Sequence, residues 1–291
     1  MIDVVRRESC GVPLGQVCKY FGATKSGFYA HAKLREGVAV KKKQDICKVI
    51  KAEFKRADAT YGSPRITGEI VDLGHSISEN TVAKYMQELG LDARLKKRFR
   101  IMTTDSNHAS PIADRVFRYE DPSAMPTGPG EILAGDITYL KCGTSFLYLA
   151  VVLDLFTREV LGWSMSESMH TDLVLNALES AMMRTGKQAK VIFHSDRGSQ
   201  YASKAYRAFL ERKEILPSMS RRGNCYDNCY VESFFASLKK ERIYRREINS
   251  PAAMRREVFD YIEAWYNRRR RHTSLGQLSP MAFRQKHEAV S

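Results

Sequence analysis

The sequence predicts an α/β core preceded by an all-helical region. Three observations carry that reading. Between residues 131 and 219, short β-branched and aromatic runs alternate with segments of helical periodicity. Before residue 100 the apolar residues recur at helical spacing between glycine breaks. Between the two lies a stretch punctuated by Pro111, Pro122, Pro126 and Pro129, with Gly128 and Gly130 beside the last. The expected division is a helical region over 1–100, a linker over 101–130, a core over 131–245 and a helical, basic extension over 246–291.

Residues 13–33 read as two short helices around Gly22. Leu14, Val17, Cys18 and Phe21 give the first an apolar face. Thr24 is placed to cap the second, which carries Phe28 and Tyr29. The pair reads equally as helix-turn-helix or as a plain helical hairpin. Residues 38–57 form a basic amphipathic helix with Ile46, Val49, Ile50 and Phe54 as its stripe. Pro64 starts another, with Ile66, Ile70 and Leu73 facing inward, and Gly74 ends it. Ser76 or Ser78 caps the next, which buries Val82, Tyr85, Met86 and Leu89. Lys96, Lys97, Arg98 and Arg100 then cluster around Phe99. Such a cluster suits DNA phosphates, and the alternative is a solvated charged face.

In the core, strands are expected over 131–141, 146–155, 159–164, 190–194 and 215–219, with helices over 172–184 and 203–213. The loop 220–227 contains Arg221, Arg222, Gly223 and Asn224. Gly and Asn tolerate unusual backbone angles, so it reads as a mobile gate or as a fixed turn. A helix follows with Val231, Phe234, Phe235 and Leu238 as its buried stripe. Ser250-Pro251 starts another, whose Met254, Val258, Tyr261, Ile262, Trp265 and Tyr266 form a stripe for core or subunit contact. The run Arg268 to Arg271 with His272 reads as a DNA-backbone patch, and Ser279-Pro280 starts a last short helix.

Lys plus Arg number 47 against 33 Asp plus Glu, a net charge of +14, which favours an anionic partner and most simply nucleic acid. No stretch approaches the ~20 apolar residues of a membrane span, and the first residues lack a signal-peptide pattern. A cytoplasmic location is therefore expected. The six cysteines are dispersed, and Cys225 and Cys229, the close pair, lack the partners of a zinc set.

Asp136 lies inside an apolar strand-like run, where an acid is costly unless paired or bound to a metal. Asp196 follows the run Val191-Ile192-Phe193, and active-site acids often lie where such strands end. Glu232 borders the apolar stripe of its helix, with Asn228 one turn before it and Lys239 two turns after it. Each acid alone is as readily salt-bridged or solvated. Taken together, three carboxylates suit Mg²⁺, which prefers hard oxygen ligands, and two such ions can serve phosphodiester cleavage. His194 shares a strand face with Asp196 and reads as a support for the site or as a satisfied structural histidine. Asp154, at another strand end, reads as supporting or structural.

These residues carry a family resemblance. Asp136-Ile137-Thr138-Tyr139, the run Leu153 to Arg158 with Gly162-Trp163, and His194 to Tyr201 match the transposases of bacterial insertion sequences with a retroviral-integrase type of core. Ser220, Gly223, Asn224, Asp227, Asn228, Glu232, Phe234 and Lys239 continue the match, as do Tyr266-Asn267, Arg270, His272, Leu275-Gly276 and Ser279-Pro280. The chain most resembles the third insertion-sequence family, whose second reading frame encodes this core. The family's spacing of 35 residues between the second Asp and the Glu recurs between Asp196 and Glu232, and its basic residue seven after the Glu recurs as Lys239. Relatives often carry Trp before the Gly-Asp pair, where this chain has Leu133-Ala134.

The resemblance implies a ribonuclease-H-like mixed sheet and a DDE-type polynucleotidyl transferase. Asp136, Asp196 and Glu232 would hold two Mg²⁺ ions, with Mn²⁺ substituting. Lys239 would hold the terminal phosphates of double-stranded DNA, and Asn228 would support Glu232. It also implies a homo-oligomer on DNA, and fusion to or pairing with an upstream-frame end-binding protein. Two alternatives stand beside it: a non-catalytic DNA-binding regulator of transposition, and a ribonuclease-H-type nuclease.

Overall fold

The computed structural model describes residues 12–93, 117, 121–185, 190–220 and 228–289, and the chain divides into two units, Met1–Ala93 and Arg94–Ser291.

In the first unit, α1 (Leu14–Tyr20) ends in a turn at Gly22, whose φ of +64° suits a residue without Cβ. Thr24 Oγ1 then accepts from Gly27 N at 3.0 Å and caps α2 (Lys25–Arg56). This is one helix of 32 residues where two were expected. No proline interrupts it, and Gly37 costs only about 1 kcal/mol in a helix interior. Its last turns bury Ile46, Ile50 and Phe54, with Val49 half-buried. Pro64 lies in the first turn of α3 (Ser63–Asp72), which buries Ile66 and Ile70. Leu73 does not face inward: it is the C-cap residue and is 56% exposed, because the backbone leaves the helix there before Gly74 at φ +86°. Of the two candidate caps, Ser78 serves, accepting from Thr81 N at 3.3 Å at the start of α4 (Glu79–Glu88). Val82 and Met86 are buried, and Tyr85 and Leu89 half-buried.

The second unit is built on a five-stranded sheet with β1 (Ile132–Cys142), β2 (Ser145–Asp154), β3 (Val160–Ser166), β4 (Ile192–Ser195) and β5 (Leu216–Met219), in the order β3-β2-β1-β4-β5. β1, β2 and β3 pair antiparallel, whereas β1–β4 and β4–β5 are parallel. This is the ribonuclease-H-like arrangement. One face is covered by α5 (Thr171–Thr185) and α6 (Lys204–Arg212), with Leu133, Val152, Leu178, Phe193, Tyr206 and Phe209 in the layer between. At Gly162 of β3 an added methyl would collide with the backbone of Ala177 and Ala181, so the strand and α5 pack at backbone distance. The opposite face is covered by α7 (Cys229–Glu241) and α8 (Pro251–Phe259), with Ala134, Leu149, Phe234, Leu238 and Val258 between.

All four residues of the α7 stripe are buried. α8 is capped by Ser250 Oγ and continues as a π-helical stretch, Asp260–Tyr266. Tyr261 and Tyr266 are both buried, a five-residue spacing that suits the wider π turn. The stripe from Met254 to Tyr266 is therefore core. Ser279 caps the last helix, α9 (Pro280–Glu288). Two further residues tighten this unit. Asp154 is buried and accepts from Gly130 N, Phe156 N, Thr157 N and Thr157 Oγ1, which makes it structural. Phe117, from the segment expected to be linker, is also buried, and its N–H donates to Ser218 Oγ at 2.9 Å.

Candidate active site

Strand register brings the two aspartates together. The parallel β1–β4 ladder ends on the pair Gly135–Ser195; Asp136 is the next residue of β1 and Asp196 the first beyond β4. Alternation along β1 puts Asp136 on the face of Ala134, which is the face that α7 covers. Gly135 points the other way, where a Cβ would strike the Phe193 ring. Glu232 stands in the first turn of α7. Two contacts fix that turn. Asn228 Nδ2 donates to Gly135 O at 3.4 Å, and the Arg158 guanidinium lies 3.3 Å from the centroid of the Tyr230 ring.

Asp196 and Glu232 both act on Asp136. Burial and the neighbouring Asp196 carboxylate hold the Asp136 pKa well above the ordinary value of 3.8, and Glu232 pushes it in the same direction. The Ile137 N–H, 2.7 Å from Asp136 Oδ1, and Lys239 oppose that rise. Asp196 Oδ1 accepts from Gly198 N at 3.0 Å. Among the described residues, no three His, Cys, Asp or Glu side chains are gathered tightly enough to hold a metal ion as they stand. The donor chemistry still fits one. These are hard carboxylate oxygens whose mutual repulsion a divalent cation would relieve. Asn228, 6% exposed, adds a buried Oδ1 with no hydrogen-bond partner among the described residues.

The two residues expected to support the site make different contacts. Asn228 reaches the strand beside Asp136, through the Gly135 carbonyl. His194 is wholly buried, with Nδ1 2.8 Å from Ser218 Oγ and Nε2 3.0 Å from Ser220 Oγ. Ser220 Oγ also donates to Ser195 O at 3.1 Å, and Arg197 Nε donates to Ser220 O at 2.7 Å. His194 is thus a structural histidine that stitches β4 to β5 beneath Asp196. Ser195, Arg197 and Ser220 stood in the matched runs without a role of their own, and Ser218, inside β5, carried no signal in the sequence.

Lys239 is not extended into solvent. Its Nζ donates to Thr138 Oγ1 at 2.6 Å and sits 5.0 Å from the Tyr139 ring centroid. Burial lowers its pKa below the ordinary lysine value, and Asp136 opposes that fall. Thr138 stood in the matched run after Asp136 without a role of its own, although alternation from Asp136 puts it on the same face.

Arg270 corrects the expected basic patch. It is 5% exposed, and its Nε and Nη2 donate to the Glu241 carboxylate at 2.8 and 2.7 Å. Nη2 also donates to Ser237 Oγ at 3.0 Å, and Tyr261 OH donates to Glu241 Oε2 at 2.8 Å. A guanidinium so enclosed does not meet a DNA backbone. Arg268 and Arg269 are exposed, and Arg271 Nη1 donates to Gln277 O at 2.8 Å. Lys96, Lys97, Arg98, Arg100, Arg221 and Arg222 lie outside the described residues.

Comparison with known proteins places this site in context. Two integrase core domain families match residues 126–225 and 213–280, and a family described as an HTH-like domain matches residues 41–99. The chain is 39% identical over 287 residues to the transposase InsF for insertion sequence IS3A of Escherichia coli (strain K12), covering 98% of each chain. It is 35% identical over 275 residues to the insertion element IS600 uncharacterized 31 kDa protein of Shigella sonnei, covering 94% of this chain and 100% of the other. Among solved structures, a chain of the simian T-cell lymphotropic virus intasome in complex with PP2A regulatory subunit B56 gamma aligns at 16% identity and a TM-score of 0.47. That alignment covers 81% of this chain and 74% of the other.

Proposed function

The chain belongs to the InsF-like transposases of insertion sequences, and from that premise we propose that Asp136, Asp196 and Glu232 are the catalytic acids of its DNA transposase activity. They would act at the element ends in two phosphoryl transfers. In the first, a water oxygen gives up a proton and bonds to phosphorus while the 3′ oxygen leaves and takes up a proton. In the second, that freed 3′-hydroxyl bonds to a target phosphate and loses its proton, while the target's own 3′ oxygen leaves and takes up a proton.

The observation that supports this reading is electrostatic: Asp196 and Glu232, from a second strand and a helix, both act on the carboxyl of Asp136. Two Mg²⁺ ions, or Mn²⁺ in their place, would be held by these three carboxylates and would supply charge neutralisation at the reacting oxygens. The protein does the rest. Neighbouring strands fix the spacing of the two aspartates, and the Asn228–Gly135 and Arg158–Tyr230 contacts fix the turn that presents Glu232. Lys239 would hold a terminal phosphate beside them.

The net charge of +14 suits double-stranded DNA, whose phosphates supply affinity without sequence information. No described helix is long and apolar enough to cross a membrane. The further reading is a cytoplasmic, nucleoid-associated homo-oligomer on DNA, fused to or paired with an upstream-frame protein that selects the ends. The basic face of the first unit and the cluster from Lys96 to Arg100 would add phosphate contacts.

The test is incubation of the chain, alone and with the upstream-frame product, with labelled element ends and Mg²⁺. Nicking at the end and joining to a second duplex are expected. DNA binding without either product, in both mixtures, would favour a non-catalytic regulator, and cleavage of RNA–DNA hybrids alone would favour a ribonuclease-H-type nuclease.

A further inference from the structure

The half-buried contact between Lys239 and Thr138 has no counterpart in the acid triad, and nothing in the phosphoryl transfers requires a threonine. Side chains of an α-helix lean toward its N-terminus, so Lys239 leans back along α7 toward the Glu232 end. Two residues of extended strand span about 6.6 Å, so Thr138 stands one same-face step beyond Asp136. The lysine ammonium docks there, on the hydroxyl of a threonine that is only 7% exposed.

The Tyr139 ring lies 5.0 Å from the ammonium, and Tyr139 is in turn packed edge-on against Phe146. An ammonium carries three N–H donors, of which Thr138 takes one. A free lysine has a flexible four-carbon stem and many rotamers, and that freedom is lost each time it grips a ligand. Holding it in place beforehand removes that cost from DNA binding.

We propose that Thr138 is a positioning residue: its hydroxyl fixes the Lys239 ammonium at the edge of the acid cluster, ready for a phosphate of the DNA end. The proposal rests on the reading of Lys239 as a phosphate contact. It differs from the plain alternative, in which the threonine merely satisfies a half-buried amine.

Full-length chains carrying Thr138→Val, Thr138→Ser, Lys239→Ala and Thr138→Val with Lys239→Ala test it. Valine keeps the shape and removes the hydroxyl, and serine keeps the hydroxyl. The first readout needs no DNA. The rate of reductive methylation of Lys239, followed by mass spectrometry, is expected to rise about tenfold in Thr138→Val, the factor lost with a hydrogen bond to a charged group. It should stay near the wild-type rate in Thr138→Ser. The second readout is strand transfer with pre-cleaved ends. Thr138→Val should raise KM for end DNA with a smaller change in kcat, and serine should restore it. The double variant should be no worse than Lys239→Ala alone, since both act through one contact.

Unchanged methylation in Thr138→Val, or additive losses in the double variant, would overturn the positioning role and leave the role of Lys239 standing. A Lys239→Ala chain that binds end DNA as the wild type does would overturn the reading of Lys239 itself and the positioning role with it.

Discussion

Asp136→Asn is expected to lose Mg²⁺-dependent cleavage and strand transfer by about a thousandfold or more, because several kcal/mol of charge stabilisation depend on the full anionic set. The same substitution should make the metal-free protein more stable. Burial and the neighbouring Asp196 carboxylate raise the Asp136 pKa in the fold. A carboxyl with a raised folded pKa contributes most stability when protonated, below its ordinary value of 3.8, and loses that contribution as pH rises through the raised value. At neutral pH the wild type therefore carries a penalty that a neutral asparagine avoids. In a chelator, Asp136→Asn should melt a few degrees above the wild type. In excess Mg²⁺ the gap should close, since the cation binds the wild-type fold and stabilises it. A variant that melts below the wild type in chelator, or that keeps near-normal strand transfer, would remove Asp136 from the site.

The second large effect is structural. Arg270→Met should destabilise the second unit by about 3–5 kcal/mol, because it leaves the Glu241 carboxylate buried without its cation. Burial alone would lower the Arg270 pKa, but Tyr261 and Glu241 beside it raise it, so the guanidinium stays charged. Adding Glu241→Gln removes the stranded charge and leaves an amide oxygen for Tyr261 OH, so the double variant should recover a good part of the loss. Both tryptophans, Trp163 and Trp265, lie in the second unit, so urea unfolding followed by their fluorescence reads this unit alone. A loss below about 1 kcal/mol, the range of a surface pair, would mean that Arg270 is not enclosed as described.

What could be read from the residues, and what could not, follows from the range of the forces involved. Periodicity is local, so the strands and helices of the core fall within a residue or two of expectation, and Thr24, Ser78, Ser250 and Ser279 cap as their positions suggest. The acids stood out because an aspartate inside an apolar strand needs a reason. Breaks are harder: the helices expected to end by residue 33 and to start at residue 38 are one continuous helix, with Gly37 inside it. Leu73 kept the period of its helix but fell on the cap, where the period no longer sets direction.

Pairings across the chain left no local mark. Arg270 sat in a run of four arginines that reads as surface, and its partner Glu241 is 29 residues away. The Thr138 hydroxyl and Lys239 are 101 residues apart and meet only because α7 lies along β1. His194 was open between two roles until Ser218 and Ser220 arrived from the neighbouring strand to occupy both ring nitrogens.

The central claim is that Asp136, Asp196 and Glu232 jointly hold the metal at the DNA end. It is tested most directly by counting Mn²⁺ bound to the complex of the chain with uncleavable end DNA, by electron paramagnetic resonance. About two tightly bound ions per active complex are expected for the wild type, and at least one should be lost in each of Asp136→Asn, Asp196→Asn and Glu232→Gln. The same count and affinity in the wild type and all three variants would contradict it.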